Sequence, residues 1–570
     1  MAKKRKGFFG FLSRLLGQEP KPPVAMKADA SEALIQHSKQ FERGIVKVCE
    51  GVHVAIGYGL ANVVLLEGDD GIVLIDTLES ADAAKILKAE LEQVTQKPLK
   101  AIILTHNHTD HIFGAGVFAE GQKPDIYAHE TTSALIDNIS SVLRPVISTR
   151  SMRQFGVFLP EEDQINAGIG KRLEIGPEHE LALMRPTHTV KDRLAVTIAG
   201  MSLELIHAPG ETNDHIVVWM PEKKVMVCAD NFYHAFPNLY AIRGTSHRDV
   251  MKWVKSLDLI RSYPIEYLVP CHTRPIVGKE KVFQTLTDYR DGIQYVHDQT
   301  VRWMNHKHTP DQIVSKVQLP EHLANAPFLQ EFYGTVAWSV RSIFNGYLGW
   351  FSGNPTHLDA YSDVEKARRY EKLAGGMESL KANTKQAFEQ EDMQWVLEMT
   401  DHILALEPED ETFKEMRRKA LIFLGEKQTS ANGRNYYLTS ALELGGFEIP
   451  ILRNANPELV QSIAMDFFFR SLSVNLAAER CLELDQCVGF RFPDSQEAYT
   501  VHIRKGVAEI QSHFPEKPDV SITMDSYIWK EMLAGLRKPG PAFAKGQIKV
   551  DGGIGKLLQF FRCFDREFQQ

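Results

Sequence analysis

Cysteine is scarce in this chain: six in 570 residues, with no Cys-x-x-Cys pair. That argues against a disulfide framework, so reduced thiols and a cytoplasmic location are expected, with a periplasmic one as the alternative. Positive charge is in deficit. Lysine and arginine total 65 against 73 aspartates and glutamates, a net charge of −8. Nucleic-acid binders need a basic surface for phosphate, so no nucleic-acid partner is expected. Long apolar runs are also missing. A membrane-spanning helix needs about 20 apolar residues, and the N-terminal apolar stretch is far shorter.

That N-terminus is basic, Met1-Ala-Lys-Lys-Arg-Lys6, and is followed by Phe8, Phe9, Phe11, Leu12, Leu15 and Leu16. Arg14 interrupts the apolar run and no small-x-small cleavage site follows, so a signal peptide is not expected. Two readings stand: a peripheral membrane anchor with lysine and arginine on anionic headgroups, or a plain basic tail. Pro20, Pro22 and Pro23 make a linker into the rest. A chain of this length predicts two to four domains. Its 44% apolar and 24% charged residues fit a soluble globular protein.

Residues 46–49, 54–56, 63–66 and 72–75 alternate or run apolar with Gly-Asp turns between, which predicts hairpin strands. Residues 80–93 have helical spacing at Ala84, Leu87 and Leu91. A short buried strand, 101–104, then leads into Thr105-His106-Asn107-His108-Thr109-Asp110-His111, and Ile112-Phe113-Gly114-Ala115-Gly116 looks like a helix start. Imidazole and carboxylate are the ligands a borderline divalent ion such as zinc takes. His106 and His108, two apart on extended backbone, point the same way. Asp110 and His111 project from the turn toward a second ion.

These residues closely resemble the His-x-His-x-Asp-His signature of the metallo-β-lactamase superfamily. The resemblance implies a four-layer αβ/βα sandwich and two metal ions sharing a hydroxide, with further ligands after later strands. In His207-Ala-Pro-Gly-Glu211-Thr-Asn-Asp-His215, the residue after Pro-Gly is the superfamily's histidine ligand. Glu211 stands there, with His215 as the rival. Asp230, after the strand 225–229, is the implied bridge; its alternative is a helix N-cap. His272, ending Tyr267-Leu-Val-Pro-Cys-His, is the implied last ligand, and Cys271 beside it reads as a packed residue. The implied set is His106, His108 and Glu211 on one Zn2+, with Asp110, His111 and His272 on the other. Asp230 bridges, and Asp110 and Asp230 are the catalytic carboxylates. Asp76 either supports the metal loop from behind or is an ordinary strand-end turn residue.

Asp230-Asn-Phe-Tyr-His-Ala-Phe-Pro-Asn238-Leu-Tyr-Ala-Ile-Arg243-Gly-Thr resembles the segment after the bridging carboxylate in alkyl sulfatases of this superfamily. Carried over, Asn238 and Arg243 hold the sulfate, which suits a planar guanidinium with a neutral amide beside it. Glu331-Phe-Tyr-Gly-Thr335 and Tyr347-Leu-Gly-Trp-Phe-Ser-Gly-Asn-Pro355 resemble the start of the alkyl-sulfatase dimerisation region. Residues 363–406 read as paired helices packing through Ala387, Trp395, Val396, Met399, Ile403 and Leu406. From about Asn454 the chain resembles a sterol-carrier-like domain, with strands at 499–503, 520–524 and 545–550 and an apolar helix at 554–564. Its interior is either a lipid cavity or a filled core. Trp338 stands where the family places a histidine that protonates the leaving alcohol. Tryptophan cannot act as a general acid. Either His234, His247 or a tyrosine replaces it, or the substrate differs.

The reading is a multidomain α+β chain: tail 1–30, catalytic domain 31–310, all-α dimerisation domain 311–430 and sterol-carrier-like α/β domain 431–570. The implied protein is a homodimeric binuclear zinc hydrolase of amphiphilic alkyl sulfate esters. Rival readings are a lactonase, thioesterase or phosphodiesterase on the same site, or a non-catalytic lipid-binding protein.

Overall fold

The structure is a computed structural model that describes residues 22–450, 452 and 456–565. The apolar and basic tail residues, and with them the anchor reading, lie outside the described residues. Among the described residues no helix is long and apolar enough to cross a membrane. The chain divides into two compact units. One takes in residues up to 130, 147–177 and 186–452; the other takes in 131–146, 178–185 and everything from 453.

In the first unit a seven-stranded sheet runs in sequence order: β1 (Gly44–Cys49), β2 (Val52–Ile56), β3 (Val63–Glu67), β4 (Ile72–Ile75), β5 (Leu99–Ile103), β6 (Asp125–His129) and β7 (His188–Val190). β1 to β4 pair antiparallel across short turns, and β4 to β7 pair parallel, because longer crossovers intervene. A second, six-stranded sheet holds β8 (Arg193–Ile198), β9 (Met201–His207), β10 (Ile216–Met220), β11 (Val225–Ala229), β12 (Tyr267–Pro270) and β13 (Ile276–Val277). The β8–β9 hairpin turns on Ala199 and Gly200, both at positive φ (52° and 79°), as a two-residue loop matched to strand twist requires.

Val52, Val54 and Ile56 of β2 and Leu203 and Leu205 of β9 share one core between the sheets. The helix Ala81–Val94, capped by Ser80, buries Ala84, Leu87 and Leu91. The helices Val250–Arg261 and Lys279–Asn305 bury Trp253, Leu257, Leu286 and Ile293 with the outer face of the second sheet. Helix, sheet, sheet, helix is the implied sandwich. Its loops leave the ends of β4, β5, β11 and β12 side by side.

The local detail of the histidine motif differs from expectation. The helix begins at Thr109 rather than Ile112, with His108 as its extended N-cap residue (φ −66°, ψ 148°). Asp110 therefore sits in a first helical turn, where the unpaired N–H groups favour a carboxylate. A second short helix follows at Ala115–Phe118.

Five consecutive helices lie toward the end of this unit: Asp363–Ala374, Met377–Glu389, Met393–Leu406, Glu411–Glu426 and Ala431–Leu444. Asp392, Asp410 and Ser430 cap the last three through side-chain oxygens. Ala387, Val396, Met399 and Ile403 pack as their spacing predicts, whereas Trp395 stays 40% exposed. The unit runs through Ala431–Leu444 to Leu452. Arg434 on that helix is buried, and donates to the carbonyls of Asp163 and Ala28.

In the second unit β14 (Asp485–Phe492), β15 (Glu497–Arg504), β16 (Val507–Gln511), β17 (Val520–Thr523) and β18 (Lys549–Asp551) form one sheet in the order β16-β15-β14-β17-β18. The strand expected at 545–550 is only Lys549–Asp551, because a helix, Pro539–Ala544, and a turn at Gly546 precede it. Aromatic rings pack in the interior of this unit. Phe469 stacks on Tyr499 at 4.1 Å and on Trp529 at 5.6 Å, and Phe490 and Phe560 close around them.

Candidate metal centre and anion site

Asp76 closes β4 at φ +62°, a conformation that costs a non-glycine residue about 1 kcal/mol or more. The strain turns its carboxylate toward the β5 loop. It accepts from the Thr105 N–H (2.8 Å), the Thr105 hydroxyl (2.9 Å) and His111 Nδ1 (2.6 Å). Asp76 thus holds the metal loop from behind. Ala229 before Asp230 (φ +47°) and Thr273 after His272 (φ +66°) repeat the device at two more strand ends.

Each histidine is oriented by its second nitrogen. His111 Nδ1–H donates to Asp76. His272 Nδ1–H donates to the Leu60 carbonyl at 3.0 Å. The Thr105 hydroxyl, which donates to Asp76, accepts from His106 Nδ1 at 3.0 Å. With Nδ1 so engaged, all three turn Nε2 toward the cluster, the arrangement that metal-ligating histidines use. Asp230 Oδ2 lies 3.5 Å from His106 Nε2, 3.4 Å from His111 Nε2 and 3.3 Å from His272 Nε2. Asp110 Oδ2 lies 3.4 Å from both His111 Nε2 and His272 Nε2. Donors bound at about 2.1 Å around a tetrahedral ion stand about 3.4 Å apart. His111 Nε2, His272 Nε2 and Asp230 Oδ1 are buried without a hydrogen-bond partner. Such orphaned, converging donors fit metal. His108 differs: its Nδ1 is the atom near the cluster, 2.9 Å from His106 Nε2.

Charge agrees with geometry. Burial, then the neighbouring His111, push His106 well below the ordinary imidazole range, and burial with Arg243 does the same to His108. Burial would raise Asp110, but His111 and His272 hold it at about 2. Burial would lower His111, yet the carboxylates of Asp230, Asp110 and Asp76 outweigh it and hold the ring well above its usual value. The cluster is a negative focus that favours cations. Cys271 lies within ligand reach of Asp76 and His111. Burial first, then Asp76, keep its thiol far above the ordinary value, so it stays protonated.

The ligand atoms of His106, His111 and Asp230 converge, as do those of Asp110, His111 and His272. Glu211 is not in those groups. It is buried, its Oε1 paired with Arg248 at 2.7 Å and its Oε2 accepting from the Tyr233 hydroxyl at 3.3 Å. His215 faces elsewhere: its Nε2 accepts from the Asp230 N–H at 3.0 Å, and its ring stacks on His106. Sequence reasoning misses Arg248 and Tyr233, since nothing in Ser246-His-Arg-Asp249 marks a buried partner. Together they fix Asn238: its N–H donates to the Tyr233 hydroxyl at 2.8 Å, and its carbonyl accepts from Arg248. The Asn238 amide itself is buried with neither polar atom paired.

Arg243 reaches the same place. Its Nη2 is 3.4 Å from His108 Nε2 and its Nη1 bonds the Gly244 carbonyl at 3.3 Å. Among the described residues it has no carboxylate within ion-pair distance. Trp338 sits in the first turn of the helix Val336–Leu348. His247 lies against Gly346, lining a small cavity with His297 and Tyr347. The His234 main-chain N–H donates to Thr273 Oγ1 at 3.2 Å, and the ring Nε2 is unpaired.

Three family models match in succession. Residues 56–272 match the metallo-beta-lactamase superfamily, 309–446 the alkyl sulfatase dimerisation region and 453–569 the alkyl sulfatase C-terminal region. The chain is 36% identical over 525 residues to a linear primary-alkylsulfatase of Pseudomonas sp. (strain ATCC 19151), covering 88% of this chain and 98% of that protein. The chain belongs to the alkyl sulfatase family. A second linear primary-alkylsulfatase from Pseudomonas sp. is 29% identical, over 92% of this chain and 79% of that one. The solved structure of the stereoselective inverting sec-alkylsulfatase Pisa1 from Pseudomonas sp. superposes with a TM-score of 0.86 at 26% identity, covering 94% and 88%. An alkyl sulfatase family member with this fold is a metal-dependent hydrolase of the sulfatase type.

Proposed function

We propose that the protein hydrolyses sulfate esters of alkyl alcohols to alcohol and sulfate, on a centre of two Zn2+ ions. His106, His108 and Glu211 would hold one ion, and Asp110, His111 and His272 the other, with Asp230 shared. When bound, such ions lower the pKa of water and offset charge on the ester oxygens.

The chain's own groups do the rest. Arg243 offers two parallel donors to the sulfate, and the Asn238 amide adds a neutral contact. Glu211 would bring an extra negative charge to its ion, and Arg248 at 2.7 Å offsets it. Trp338 supplies no proton to the leaving alcohol. Tyr333, buried and held above the usual phenol range by burial and then by Glu211, is a hydroxyl in the field of Arg243 and Asp110.

The observation that carries the reading is Arg243: a guanidinium beside the histidine cluster with no carboxylate partner among the described residues, next to an unpaired Asn238 amide. A part-buried guanidinium without a carboxylate partner fits an anionic substrate. The names of the relatives point to linear primary alkyl sulfates. The dimerisation match at 309–446 supports a homodimer. Purified, zinc-loaded protein is expected to release sulfate from dodecyl sulfate. No release from primary or secondary alkyl sulfates at full metal occupancy overturns the proposal.

A further inference from the structure

The chain from Asp230 to Asp249 contains no regular helix or strand, so its main-chain groups must find partners elsewhere. At Arg243 those partners come from one helix, Arg144–Gln154. The Arg243 N–H donates to Gln154 Oε1 at 2.9 Å. The Arg243 carbonyl accepts from Arg150 Nε at 2.8 Å, and the Ile242 carbonyl accepts from Arg150 Nη2. One guanidinium therefore forks across two consecutive carbonyls. Among the described residues Arg150 has no carboxylate within ion-pair distance, so its donors serve the backbone.

The helix is itself anchored within a turn of Arg150. Arg153 makes a two-pronged ion pair with Glu443, at 2.8 and 2.9 Å. Gly156 follows at φ +59°, where an added Cβ would come within 2.7 Å of Leu159 and press against Asn435 at 3.0 Å. The fixed end of the helix thus holds the backbone of the residue whose side chain meets the anion. Two parallel hydrogen bonds to a tetrahedral oxyanion depend on the angle of the guanidinium plane.

We propose that Arg150 is a positioning residue for sulfate recognition. It acts through the main-chain carbonyls of Ile242 and Arg243 rather than on the substrate, and so sets the direction from which the Arg243 side chain departs. The proposal rests on the reading of Arg243 as the sulfate clamp.

The test uses full-length, zinc-loaded protein and inorganic sulfate as the probe, with affinity read by calorimetry beside kcat and KM for dodecyl sulfate. Arg150→Ala is expected to weaken sulfate binding and raise KM by about tenfold, with metal content unchanged and a smaller fall in kcat. Arg150→Lys, which keeps the charge and one donor direction, should fall between, and it serves if the alanine variant does not fold. Arg153→Ala, which cuts the tie to Glu443 but not the loop contacts, should lose less than Arg150→Ala. In a double-mutant cycle, removing Arg150 after Arg243→Ala should cost nothing further. Wild-type sulfate affinity in Arg150→Ala, or additive losses in the cycle, overturns the proposal while leaving the sulfatase reading intact. Wild-type protein that neither binds sulfate nor cleaves the ester overturns the sulfatase reading, and this inference with it.

Discussion

At the scale of single residues, the site depends on groups that never face a substrate. Asp76 accepts three hydrogen bonds and fixes which nitrogen His111 presents. Asp76→Ala should therefore lower metal affinity about 10- to 100-fold, read by chelator competition and metal analysis, with secondary structure retained. His37 gives a pH signature away from the metal. Its Nε2 donates to the Gly168 carbonyl at 2.7 Å, its ring stacks on Phe332 at 4.0 Å, and burial pushes its pKa from 6.5 down to about 4. Between those values the unfolded chain binds the proton and the folded chain does not. Stability should fall as pH drops from about 6.5 to about 4, by roughly 3 kcal/mol in all, and this contribution is level outside that window. His37→Gln should flatten the dependence of the urea midpoint on pH relative to wild type. The histidine motif is legible in the sequence because its residues are contiguous and their spacing alone aims them. Arg248, Tyr233 and Arg150 are not, because each acts on a partner distant in sequence, and Arg150 acts on main-chain atoms that no side-chain pattern records.

At the scale of elements, strands are legible from alternation, and they form where one face meets a core, as in β2 and β9. Helix boundaries are less so. The motif helix starts at Thr109 because His108 is extended and the first turn takes Asp110, a local balance that apolar spacing does not encode. The second unit shows the same limit: its pattern fits a lipid cavity or a filled core equally, and ring packing decides how the space is used. Phe469 touches Phe490, Phe492, Tyr499 and Trp529 and is fully buried. Phe469→Ala should destabilise that unit by about 3–5 kcal/mol, the cost of an aromatic cavity in a packed core. Denaturant unfolding followed by Trp529 fluorescence checks it. A loss under about 1 kcal/mol would mean that the ring borders open space instead.

At the scale of the whole molecule, the helical region carries apolar surface that a lone chain has no use for. Tyr347 is 56% exposed, Trp350 72%, Leu358 56%, Tyr361 57% and Leu373 84%. All fall within 27 residues of a segment matched to the alkyl sulfatase dimerisation region. Scattered single apolar residues need no explanation, but a concentration of this kind marks an association surface. A second copy of the chain is the occupant that the family match supplies, and a twofold interface would bury each of these residues twice. Trp350→Asp together with Leu373→Asp should convert a dimer to a monomer in light scattering, since two desolvated carboxylates per chain oppose association. The folded chain should survive, because both side chains are exposed and outside the helical core of Val396, Ile403 and Phe413. Wild-type melting temperature should rise with protein concentration, and that of the double variant should not. A wild type that scatters as a monomer at every concentration removes the dimer.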